Sequence, residues 1–178
     1  MNMLMGPEKH LAAGDILRGE GLSFDFGFML LDPWSDFRQI RSNVAFLDRF
    51  VGDGWSVAGF CRMLPYAGTP TQRKLRKEGR LEGSEFEPDY RFLDPKVDRF
   101  YAWVLDTFHT RNFTNEGLSH ILRGLSFESR LQAPHTRWMR AEEMRWLQFM
   151  CARANRAATT ALRAAVDYFE ATALDQIT

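Results

Sequence analysis

The chain has 178 residues, with 23 Lys and Arg against 23 Asp and Glu, 45% hydrophobic and 13% aromatic side chains, and two cysteines. Zero formal charge removes any global electrostatic drive towards nucleic acid or anionic lipid, and the apolar fraction is too high for a disordered chain. Cys61 and Cys151 are too few and too far apart for a disulfide framework or a cysteine-only metal or iron–sulfur site. No run of about 18 apolar residues occurs, and the start MNMLMGPEKH lacks the basic-then-apolar order of a signal peptide, so a cytoplasmic location is expected.

Pro7 after Gly6 predicts a short helix through His10–Arg18, ended by Gly19 and Gly21. In Leu22–Leu31 (LSFDFGFMLL) the residues Leu22, Phe24, Phe26, Phe28 and Leu30 alternate with Ser23, Asp25, Gly27, Met29 and Leu31, which predicts a strand with one large apolar face. Asp32-Pro33 then supplies a cap, and Phe37, Ile40, Val44, Leu47 and Val51 recur at helical spacing until Gly52 and Gly54. Trp55–Leu64 (WSVAGFCRML) reads as a second strand. Thr69-Pro70-Thr71-Gln72 reads as a capping box with proline at the first helical position, opening a helix to Glu78, with Gly79 as its left-handed C-terminal residue. Strand, helix, strand, helix in this order implies right-handed parallel crossovers in an α/β sheet or barrel.

Around Gly83–Tyr90 the periodicity fades into turn formers and acids, and the chain divides there into an α/β part (1–82) and an α-helical part (83–178). Asp94-Pro95 opens a helix with Val97, Phe100, Val104 and Phe108 on one stripe. Asn115-Glu116-Gly117 precedes another with Leu118, Ile121, Leu122 and Leu125. A long helix is expected from about Thr136 to Ala173, with Leu147, Cys151, Ala154, Ala158, Ala161 and Ala165 forming a seam of mostly small residues.

In parallel α/β folds ligands sit at the carboxyl ends of the strands, so Leu31–Asp36 (LDPWSD) and Pro65–Thr71 (PYAGTPT) are expected at one rim, each leading to a helix N-terminus. Asp32, Ser35 and Thr69 are also ordinary caps and Gly68 an ordinary turn residue, and spacing alone does not decide between these roles. The order GFMLLDP (27–33), helix, RMLPYAGTP (62–70), helix, EGRL (78–81) resembles the late strands of the radical S-adenosylmethionine enzymes, particularly the branch that carries a cobalamin-binding domain. The resemblance covers about residues 22–82. It implies that the two strands are the fifth and sixth of a partial TIM-like barrel, that the helical half is a variable C-terminal extension, and that Gly27, Met29, Leu64, Pro65 and Tyr66 hold the adenine and ribose of S-adenosylmethionine. Arg62 and Asp25 become polar groups facing the cavity, or, on the residues alone, partners of nearby charges.

The family's three-cysteine C-x-x-x-C-x-x-C loop, which binds a four-iron four-sulfur cluster, has no match here, nor do the earlier strands or the cobalamin domain. The cluster and cobalamin are therefore expected only in a full-length parent, and this chain is expected to lack radical chemistry by itself. Two strands with open edges further suggest a missing N-terminal barrel half or a partner chain; Met1, Met3 and Met5 stand just upstream, as for an internal start. The rival reading is a non-catalytic helical interaction module that pairs with a partner or homodimerises, and a third is retained S-adenosylmethionine or nucleoside binding without redox chemistry. Membrane and nucleic-acid partners are not expected. His10, His109, His120 and His135 are scattered without a metal-binding spacing, and His109 stands three residues after Asp106 on one helix. The arginines 137, 140, 145, 153, 156 and 163 form a basic or simply solvated face, and Trp138 and Trp146 are stacking or packing aromatics.

Overall fold

The computed structural model describes residues 6–132 and 139–177. Among them the fold is mixed α/β and mostly helical, with two small two-stranded sheets. In chain order the elements are α1 (Pro7–Gly19), β1 (Phe28–Leu31), α2 (Phe37–Val51), β2 (Phe60–Arg62), α3 (Pro70–Lys77), β3 (Leu81–Gly83), β4 (Pro88–Tyr90), α4 (Pro95–Phe113), α5 (Leu118–Gln132) and α6 (Ala141–Ala171), followed by a 3-10 turn at Leu174–Gln176. No helix among the described residues is long and apolar enough to cross a membrane. His135, Arg137, Trp138 and the first turn expected of the last helix lie outside the described residues.

Two compact units are formed, one from residues within 1–28, 45–59 and 109–160, the other from residues within 29–44, 60–108 and 161–178. Each therefore draws on chain from both sides of residues 81–90, the stretch whose periodicity fades. That stretch is an antiparallel hairpin in which Leu81, Glu82 and Gly83 face Tyr90, Asp89 and Pro88.

In the first unit, α1 ends where Gly21, at φ +68°, lets the Leu22 N–H reach back to the Leu17 carbonyl at 2.9 Å. Leu22–Phe26 does not extend β1 as the alternation predicts. Its aromatics instead pack on α2, with ring centroids 6.2 Å (Phe24) and 4.8 Å (Phe26) from Phe50. Trp55–Gly59 likewise stays outside any strand, because helix side chains satisfy its backbone. The buried Asn155 amide donates to the Val51 and Ser56 carbonyls at 2.8 Å and its oxygen accepts from the Ala58 N–H at 3.3 Å. Ser126 Oγ donates to the Trp55 carbonyl at 2.6 Å and Arg111 to the Ala58 carbonyl at 3.0 Å. Val57, Leu122, Leu147, Cys151 and Ala154 form a buried cluster against Met139 and Met150.

In the second unit, β1 pairs with β2, and the Met63 N–H continues the ladder to the Leu31 carbonyl at 2.8 Å. The helix after β1 begins later than its cap spacing suggests. Asp32 closes a turn on the Trp34 N–H (2.8 Å), while Asp36 caps α2 through the Gln39 N–H (2.7 Å). Phe37, Phe100 and Phe169 make edge-to-face contacts at 6.0 and 5.7 Å in the aromatic core, and Phe60 meets Phe108 at 5.1 Å.

Candidate functional site

The second unit concentrates its polar chemistry where β1 and β2 end. The turn Asp32–Ser35 is closed by the Asp32 N–H donating to Ser35 Oγ at 2.9 Å. Thr69 caps α3 by accepting the Gln72 N–H at 3.2 Å, as the capping box predicts. The return bond differs, for Gln72 Oε1 accepts from the Gly68 N–H at 3.0 Å rather than from Thr69. The Thr69 hydroxyl and N–H are already committed to the Tyr66 carbonyl, so the glutamine secures the residue before it.

Three stretches are tied together here. Arg80, buried, donates to the Pro33 carbonyl at 2.8 Å and to the Arg91 carbonyl at 2.6 Å. Trp34 Nε1 reaches both carboxylate oxygens of Glu78 at 3.2–3.3 Å, and the Lys74 ammonium lies 3.9 Å from the centroid of the Trp34 ring. Arg80 and Trp34 together hold the Glu78 carboxyl below the usual carboxylate range. These bonds join the end of β1 to the turn after α3.

Beside this knot stands Arg62, the last residue of β2. Its guanidinium carbon lies 4.7 Å from the ring centroid of Tyr90 and 4.4 Å from that of Tyr101, and Nη2 pairs with Asp89 at 2.5 Å. The Arg62 side chain is only 11% exposed and Tyr90 2%. Two atoms of this stack, Arg62 Nε and the Tyr90 hydroxyl, are shut from solvent without a hydrogen-bond partner. Burial pushes the Tyr90 hydroxyl well above its ordinary range and raises that of Tyr101, with the Arg62 charge opposing both shifts.

Of the residues the resemblance singles out, Met29, Arg62, Leu64, Pro65 and Tyr66 belong to this unit. Met29 (55% exposed), Leu64 (42%) and Tyr66 (64%) present apolar surface on β1 and after β2, while Pro65 is buried. Gly27 lies in the first unit, exposed, with open space around the position a β-carbon would take. Asp25 is also in the first unit, outside any strand, and pairs with Arg123 at 3.6 Å beside His120 and Phe127. Tyr90, Tyr101, Asp89, Trp34 and Arg80 carry no motif of their own. The nearest sequence signal is EGRL, whose arginine is the strut between the turn after β1 and the Arg91 carbonyl that follows β4.

Among the described residues no three His, Cys, Asp or Glu side chains converge as metal ligands. A four-iron cluster held by three thiolates does not fit a chain with two cysteines, of which Cys61 is exposed and Cys151 buried. No family model, no curated protein and no solved structure matches the chain at a significant level.

Proposed function

We propose that this chain is a fragment or divergent member of the radical S-adenosylmethionine enzymes, that it contributes the rim of the late strands of a TIM-like barrel, and that it is not catalytic by itself. The observation that carries the reading is convergence. The three stretches whose order makes the resemblance, 27–33, 62–70 and 78–81, are joined by the Leu31–Met63 and Pro33–Arg80 hydrogen bonds, and Trp34, just after the first, adds a bond to Glu78. Met29, Leu64 and Tyr66 supply exposed apolar surface for an adenine and ribose, and the Arg62–Tyr90 stack supplies buried polar atoms without partners. When bound, S-adenosylmethionine in this family is cleaved reductively at a cluster. The residues here would bind and orient it, and the cluster, its cysteines and any cobalamin would be supplied by another polypeptide segment or chain.

Titration calorimetry with S-adenosylmethionine tests the reading. Saturable heat at up to millimolar ligand is expected, and its loss in Tyr66→Asp is expected with it. No heat at millimolar ligand would overturn the proposal. Anaerobic iron–sulfide reconstitution of the isolated chain is expected to yield no thiolate-to-iron charge-transfer absorbance, and a stable four-iron cluster would overturn the claim that the chemistry needs a second component.

A further inference from the structure

The zero net charge conceals a sharp local segregation. Five cations and one carboxylate lie between Arg73 and Arg80, then four carboxylates and no cation between Glu82 and Asp89. Both blocks belong to the second unit, the first mostly on α3 and the second on the β3–β4 hairpin. Part of each is neutralised internally. Lys74 lies 3.9 Å from Glu78, Arg80 is buried on its carbonyls, Arg91 pairs with Glu82 at 2.8 Å and Arg62 with Asp89. Arg76 and Lys77 on α3, and Glu85 and Glu87 at the hairpin tip, are exposed and make no ion pair among the described residues.

Between those two carboxylates stands Phe86, 95% exposed, the most exposed large apolar side chain described. Its position is fixed by its neighbours. The Ser84 N–H donates to the Glu87 carbonyl at 3.1 Å, the Glu87 N–H donates to Ser84 Oγ at 3.0 Å, and Gly83 at φ +74° sits so close to the Glu87 carbonyl that only glycine fits. A rigid turn that holds an aromatic ring in water loses little entropy when the ring is buried against a partner.

We infer that the hairpin tip, Glu85–Glu87, docks on the basic face of α3 in a second copy of this chain, with Phe86 as the anchor and Arg76 and Lys77 as the matching charges. Tyr66, on the loop that leads into α3, gives the anchor an aromatic surface. The inferred exchange is reciprocal, each copy's tip on the other's α3, which is the arrangement that closes a two-fold dimer. The carboxylates beside Phe86 have the wrong sign for an anionic membrane, and a polyanion on α3 would leave Phe86 without a role. The contact is small and charge-rich, so it is weak, in the micromolar range or above, and strongly salt-dependent. The inference does not depend on S-adenosylmethionine binding.

Sedimentation velocity over a concentration series tests it. A monomer–dimer equilibrium is expected, weakened at least about tenfold when salt rises from about 0.1 M to about 1 M and the screening length falls from about 10 Å to about 3 Å. The double variants Glu85→Lys with Glu87→Lys, and Arg76→Glu with Lys77→Glu, are each expected to be monomeric. Mixed together they restore both complementary contacts and are expected to form a heterodimer, which also shows that each is folded. Phe86→Ser is expected to weaken the dimer at least about tenfold. A wild-type chain that stays monomeric at the highest concentration, charge variants that dimerise alone, or a mixture that fails to associate would each overturn the inference.

Discussion

At the scale of single residues, Cys151 shows what enclosure does to an ionisable group. Burial pushes its thiol up to about 11 from an ordinary 9.0, although the Arg130 charge opposes the shift. The fold thus favours the neutral thiol. The stabilising difference is fully present below about pH 9 and is lost as pH rises towards about 11, where the folded state must also accept the charge. The urea midpoint is expected to fall between about pH 8 and pH 10.5, and to fall less steeply in Cys151→Ala. A thiol reagent at neutral pH is expected to label Cys61, which is exposed, and to reach Cys151 only in denaturant. Equal slopes in both proteins, or native labelling of two thiols, would contradict this account. The small-residue seam already placed Cys151 inside a helix contact. Arg62 was less legible, since the composition of its own strand names neither the tyrosines that flank it nor Asp89, all of which come from chain more than 25 residues later.

At the scale of elements, determinants carried within a few residues were readable and those that need a distant partner were not. The Thr69 cap, the left-handed Gly79 and the stripe Phe37–Val51 are local or periodic, and each appears where the chain predicts it. The two long strands are not. Alternation in Leu22–Leu31 describes a half-buried ribbon, but only the pairing with the three-residue β2 makes Phe28–Leu31 a strand, and the rest uses its aromatics elsewhere. The hairpin at 81–90 was hidden for the opposite reason, because its acidic residues look like a linker. Glycines separate the two kinds of constraint. Gly54, at φ +76°, lies so near the Gln148 carbonyl and Ala152 that a β-carbon would overlap both, so Gly54→Ala is expected to cost about 2–5 kcal/mol. Thr69→Ala is expected to cost about 1 kcal/mol. Gly27→Ala, facing open space, is expected to change stability by less than about 0.5 kcal/mol. Denaturant midpoints of the three variants check the order, and a Gly27→Ala loss as large as that of Gly54→Ala would refute it.

At the scale of the molecule, balanced charge with a pI near 6.9 predicts a solubility minimum close to neutral pH. Because the charges are segregated between α3 and the hairpin, added salt is expected to raise solubility at that minimum instead of lowering it. Precipitation against pH at two salt concentrations measures this, and a salt-induced decrease would contradict it. Which chain segments share a unit was the least legible property. Residues 45–59 join 109–160 through bonds such as Asn155 to Ser56, and no local pattern encodes them.

That asparagine also bears on the order of events. Three backbone groups of Val51–Ala58 are bonded by one side chain 97–104 residues further along, not by a neighbouring strand. While the chain is being synthesised, the Val51 carbonyl can already accept from the Gly54 N–H at 3.0 Å, but the Ser56 carbonyl and the Ala58 N–H wait on water until the final helix has been made. Loop closure over such a separation is slow, so this segment belongs to the late phase of folding, and ribosome-bound chains that stop before Asn155 expose it to chaperones and proteases.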